Sequence, residues 1–138
     1  MNNYTYEEIE IGQKESFSVT ITQEMVDRFR DITGDVNPLH NDKDYAVKKG
    51  HPDIVAYGML TASFLSTLAG VYMPGKRSLI HEVNTKMERP VYVGDTLTIE
   101  GTVKEKNDTF SFIIVKVLMK NQDGKKVLKA QMQIGVEE

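Results

Sequence analysis

From Ile54 to Met73 the chain runs for 20 residues without a charged side chain. A stretch of about that length can span a bilayer as a helix, and no other feature restricts the fold as strongly. Its composition argues against a membrane, because eight of the 20 residues are Gly, Ser, Thr or Tyr. Within it, Met59 to Tyr72 sets small residues (Ala62, Ser63, Ser66, Ala69, Gly70) beside large ones (Leu60, Phe64, Leu65, Leu68). A helix of that make-up has no polar face to give to water, so the rest of the chain must enclose it on nearly all sides. Pro74 and Gly75 close it.

The flanking segments supply the enclosure. Phe17, Val19 and Ile21 alternate with Ser18 and Thr20, the period of a half-buried strand. Thr22 can cap a helix that carries Gln23 and Glu24 in its first turn and Val26, Phe29 and Ile32 on its inward stripe. Gly34 suits the left-handed stop of that helix. Asn41 or Asp42 can cap a second short helix, about residues 43–49, ended by Gly50 with Pro52 beyond. A loop around His51 to Ala56 then leads into the uncharged run. After Ser78 the pattern changes to strands. Leu79, His81, Val83, Thr85 and Met87 share one face of a strand that stops before Pro90, which makes His81 a core histidine. Val93-Gly94-Asp95 turns the chain. Leu97, Ile99, Gly101 and Val103 line the next strand, Thr109 to Met119 is β-branched and aromatic enough to be central, and Val127 to Val136 follows a turn at Asn121 to Gly124. The order predicts an α+β fold whose antiparallel sheet buries one face on the long helix. The other face is left for solvent or a partner. With 138 residues there is enough chain for one sizeable core, so residues 1–138 are read as a single domain.

Charge and composition remove several function classes. The net charge of -3 is spread as mixed signs with no basic stripe, so nothing predicts nucleic acid as a partner. The absence of cysteine removes disulfides and thiolate chemistry and fits a reducing, cytoplasmic setting. His40, His51 and His81 have no metal-ligand spacing, so no metal is expected, and His51 reads as a surface loop residue. The acidic, polar start MNNYTYEEIEIGQ is unlike a signal peptide.

Two segments carry the polar groups of interest. In TGDVNPLHND, residues 33–42, Asp35 and His40 flank Pro38, which forbids a helix across the whole span and predicts an irregular loop. A rigid loop can aim a carboxylate and an imidazole at one water or substrate proton. The same residues also suit an ordinary turn, since Asp and Asn favour turns through backbone hydrogen bonds. In Ala56-Tyr57-Gly58-Met59 a loop enters the long helix. The unpaired N–H groups of a helix start, with glycine permitting close approach, are the parts of an oxyanion hole, although a glycine there can equally serve packing. Ser66 lies two turns further along near the same face, where serine ordinarily bonds its own backbone.

Taken together, GDVNPLHNDKDYA, VAYGMLTASFLSTL and RPVYVGDTL resemble the MaoC-like hydratases, the (R)-specific enoyl-CoA hydratase group of the hotdog-fold superfamily. The likeness runs from about residue 10 to the end, with the three segments in the expected order. It implies a curved antiparallel sheet wrapped around a long central helix, and a homodimer formed through sheet edges. It also implies a trans-2-enoyl thioester of CoA or acyl carrier protein as substrate, hydrated reversibly to the (R)-3-hydroxyacyl thioester, with no cofactor besides. By position Asp35 matches the family's catalytic acid residue and His40 its catalytic histidine, with Asp35 the preferred base and His40 the preferred acid. Gly58 matches the backbone donor to the thioester carbonyl and Ser66 a serine associated with the site; Tyr57 and Asn37 fall among the substrate-binding positions. Members of the family commonly carry His-Gly where this chain has Tyr57-Gly58, a change that keeps the backbone donor and tunes the site. A hotdog thioesterase is the first rival, but such enzymes generally use a carboxylate on or beside the long helix, and Met59 to Tyr72 has none. The second is a non-catalytic acyl-CoA-binding module, against which the presence of both Asp35 and His40 counts. Lys76, Arg77, Lys86 and Arg89 suit CoA phosphates or plain solvation.

Overall fold

A computed structural model describes residues 1–138. The elements run β1 (Lys14–Thr20), α1 (Gln23–Thr33), α2 (Pro38–Asn41), α3 (Lys43–Lys48), α4 (Gly58–Thr67), β2 (Ser78–Met87), β3 (Thr96–Asn107), β4 (Phe112–Lys120) and β5 (Lys126–Val136). The α+β reading holds. All five strands pair antiparallel in the order β1-β3-β4-β5-β2, which puts β4 at the centre. Its alternating side chains show why: Ile113, Val115, Val117 and Met119 are buried against the helix while Lys116 and Lys120 face away. Thr109 to Ser111 fall outside the strand in a turn where Ser111 takes a positive φ.

The long apolar helix lies across the concave face of this sheet. It is α-helical only to Thr67 and continues as a π-helical turn, Leu68–Tyr72, whose Leu68 and Ala69 are fully buried. Gly101 on β3 makes room for that turn, since a Cβ there would sit 2.7 Å from Leu68 Cδ2 and 3.0 Å from Val115 Cγ1. Glycine is therefore required by close approach and not by backbone conformation. No helix is long and apolar enough to cross a membrane.

The predicted caps of α1 are present, with Thr22 accepting from the Met25 N–H and Gly34 in the left-handed region at φ 73. Ile32 departs from the prediction, being 81% exposed. Successive steps of three residues fall 60° short of a full turn each, so the stripe begun by Val26 and Phe29 has rotated out of the core by Ile32.

Strand β2 corrects the sequence reading more substantially. A bulge between Ile80 and Glu82 reverses the alternation at His81. Beyond it Val83 pairs with buried Met132, whereas before it Ile80, and not Leu79, pairs with buried Ile134 and so shares the inner face. His81 is accordingly an exposed edge residue, its Nδ1 3.1 Å from Gln133 Nε2, and not a core histidine. On this edge strand Ile80, Val83 and Met87 remain 36%, 45% and 44% exposed.

Candidate active site

The expected irregular loop from Asp35 to His40 is partly helical. Pro38 does not prevent this, because it stands at the first helical position of α2, where a missing N–H costs nothing. Asn37 caps the turn, its Oδ1 accepting from the Leu39 N–H at 3.0 Å. Asp42 ends α2 and caps α3 by accepting from the Tyr45 N–H. The turn places His40 with its ring directed back at residues 54–57, a buried stretch that includes the end of the predicted loop. The stretch is held on both sides, Val55 N–H donating to the Leu39 carbonyl and Ala56 N–H to the Val91 carbonyl.

Each candidate side chain is held by the backbone. Asp35 Oδ1 accepts the Asn37 N–H at 3.0 Å, an Asx turn that sets the carboxylate. His40 Nδ1 lies 2.5 Å from the Val55 carbonyl. A carbonyl only accepts, so Nδ1 carries a proton, and the tautomer set by this contact is the one that has Nε2 as the acceptor. Tyr57 is 2% exposed; its hydroxyl donates to the Asp35 carbonyl at 2.5 Å and accepts from Asn41 Nδ2 at 3.0 Å, and its ring lies 4.2 Å from the His40 ring and 5.2 Å from that of Phe29.

Asp35, His40, Tyr57 and Gly58 line one cavity of about 360 Å³ with Phe29, Thr33 and Met59. A second cavity of about 220 Å³ lies on the other side of His40 and Gly58, walled by Leu39, Val55, Ala56, Thr61, Met87, Pro90, Val91 and His51. Gly58 is the first residue of α4, so its N–H is one of the donors left without an intrahelical partner at a helix N-terminus that has no carboxylate in its first turn. An acid-base pair, a backbone donor and an adjoining apolar cavity are the parts required to add a proton and a nucleophile to a polarised carbonyl compound.

The structure brings Asp35, His40, Tyr57 and Gly58 together but leaves two predicted residues apart. Asn37 spends its side chain on capping α2. Ser66 is exposed and lines neither cavity, since eight helical residues carry it about 12 Å along the axis and roughly a quarter turn around from Gly58. Three contributors were missed. His51 is half-buried, not a surface residue, with Nδ1 3.0 Å from the Tyr92 hydroxyl. Burial, then the Asp95 charge, raises the Tyr92 phenol above its ordinary pKa, which keeps it a neutral partner for His51. Asn41 bridges Tyr57 to the loop. Thr61, 2% exposed, has a hydroxyl with no partner in the protein; its position three residues past Gly58 is the signal that could have found it. Of the basic candidates, Arg77 and Arg89 donate to the Glu137 and Lys126 carbonyls.

Comparison with known proteins bears on these parts. The family described as MaoC like domain matches residues 7–125. The chain is 35% identical over 98 residues to an (R)-specific enoyl-CoA hydratase of Rhodospirillum rubrum, covering 71% of this chain and 68% of the relative. It is 36% identical over 95 residues to an (R)-specific enoyl-CoA hydratase of Aeromonas caviae, covering 69% and 71%. The solved structure of R-Hydratase PhaJ1 from Pseudomonas aeruginosa in the unliganded form superposes with a TM-score of 0.93 at 30% identity, covering 99% of this chain and 87% of that one.

Proposed function

The chain belongs to the MaoC-like domain family, and on that premise we propose that it is a hydro-lyase that adds water to trans-2-enoyl-CoA to give the (R)-3-hydroxyacyl-CoA. The observation that carries this reading is the single cavity shared by Asp35, His40 and Gly58. One water accepts direction from the Asp35 carboxylate and gives a proton to His40 Nε2 while its oxygen bonds to C3 of the enoyl group. Electrons move onto the thioester oxygen, where the Gly58 N–H and the start of α4 stabilise the charge. The imidazolium then returns the proton to C2, so that one H and one OH have been added and the enzyme is unchanged. The roles differ from the sequence expectation, in which Asp35 was the base. The Nδ1 contact to Val55 supports the exchange, because it sets the tautomer that leaves Nε2 free to accept the proton of the water.

The thioesterase alternative lacks its usual parts, as neither α4 nor the π turn contains an acid. The exposed inner-face residues Ile80, Val83 and Met87 on the β2 edge support a homodimer formed through that strand. The assay follows enoyl-thioester absorbance with crotonyl-CoA and longer enoyl-CoAs. Asp35→Asn and His40→Ala each lower the rate on the order of a hundredfold or more. Wild-type rates in both variants, or thiol release without hydration, would sink the assignment.

A further inference from the structure

We infer that Tyr57 is a positioning residue that aligns Asp35 with His40, an inference that rests on the hydratase reading of the site. Tyr57 occupies the N-cap of α4, a place where a short polar side chain ordinarily satisfies the helix start. Its own side chain makes no capping bond and reaches instead to the Asp35 carbonyl, 22 residues earlier in the chain.

The hydroxyl has one proton to give, and it goes to Asp35. Its accepting side takes the Asn41 amide, which is braced in turn: Asn41 Nδ2 also donates to the Asn37 carbonyl at 2.9 Å, and Asn41 Oδ1 accepts from Arg30 Nη1 at 3.3 Å. With donor and acceptor both engaged, the phenol is in no position to bind the thioester oxygen or relay a proton. Its ring fills the gap between Phe29 on α1 and the face of His40. His40 is thus held at one edge by Val55 and on one face by Tyr57. A single buried side chain fixes the backbone beneath one catalytic group and the plane of the other. Alignment of this kind acts on turnover and leaves ground-state binding alone.

The experiment compares wild type with Tyr57→Phe, which keeps the ring and removes both hydroxyl bonds, in steady-state hydration of crotonyl-CoA. The expected result is a kcat lower on the order of tenfold or more with KM within about twofold of wild type. A raised KM with kcat retained would make Tyr57 a substrate contact and overturn the inference. Combining Tyr57→Phe with Asn41→Ala gives a loss smaller than the product of the single losses, because both act through one network. Amide hydrogen exchange at Asn37, Leu39 and His40 reads the loop without substrate. It quickens in Tyr57→Phe, and wild-type exchange in that variant overturns the inference whatever happens to kcat. A wild-type protein that does not turn over crotonyl-CoA or its longer homologues would count against the hydratase reading, while this exchange measurement still judges the hold of Tyr57 on the loop.

Discussion

Replacing Gly58 by proline removes one atom that matters, the amide hydrogen proposed to meet the thioester oxygen. Few positions allow such a change in a folded chain. Gly58 is the first residue of α4, where the N–H has no intrahelical partner and proline is favoured. The residue before a proline must be extended, and Tyr57 already has φ -59 and ψ 125. A Cβ at position 58 meets only Met87 Cε and Cγ, both at 3.4 Å and both on a flexible side chain. Folding stability should therefore stay within about 1 kcal/mol of wild type, as for proline at a compatible site. Loss of one oxyanion donor lowers kcat on the order of a hundredfold to a thousandfold, or about 2.7–4 kcal/mol of transition-state stabilisation. Gly58→Ala is the control, since it adds the same Cβ and keeps the N–H. Urea melts and steady-state hydration of crotonyl-CoA on both variants complete the comparison. Equal loss in the two variants would assign the effect to bulk against Met87, and a fully active Gly58→Pro would remove the backbone donor from the mechanism altogether.

Other expectations follow from the packing and the charges. Gly101→Ala forces a methyl against Leu68 and costs about 1–3 kcal/mol, while Leu68→Ala alone costs about 2–5 kcal/mol; in urea melts the double variant loses less than the sum, and strict additivity would refute the contact. Tyr6 donates to Asp108 Oδ1 at 2.6 Å, and burial followed by that bond pushes its pKa up to about 12. The neutral phenol is the form favoured by folding, so its contribution is complete below pH 10 and is lost as pH rises through about 12. Spectrophotometric titration of Asp108→Ala should show one tyrosine moving toward the ordinary range. Val83→Lys places a charge on the inner face of the β2 edge and should yield monomers in sedimentation velocity, with an unchanged species distribution counting against association through that strand.

The parts legible in the sequence were those with a local cause. Thr22 and Gly34 bracket α1 because capping is decided within a few residues, and the 20-residue uncharged run announced a helix packed on the sheet, although enclosure on nearly all sides does not follow, since Met59, Ser63, Ser66 and Val71 stay exposed. Asp35, His40 and Gly58 were singled out because their spacing follows a family pattern, and the fold brings them to one cavity. What stayed hidden depends on partners distant in the chain. The bulge at His81 is a property of pairing with β5, and no pattern within β2 records it. Ser66 looked close to Gly58 on a helical count, yet a quarter turn of residual rotation was enough to separate them. His51 reaches the second cavity by way of Tyr92, 41 residues later. Tyr57 was visible as a departure, but its partners, Asp35 and Asn41, were not.

Val55 serves the site twice through different atoms. Its carbonyl holds His40, and its side chain forms part of the wall of the smaller cavity. A carbonyl is present whatever residue occupies the position, so mutation can enlarge or narrow that wall while the imidazole keeps its tether. In the proposed mechanism substrate range and proton transfer are thereby separable under selection: position 55 can drift among apolar residues while the carbonyl that holds His40 stays in place. An orienting carboxylate would have tied the two together, because every substitution of it would also release the histidine.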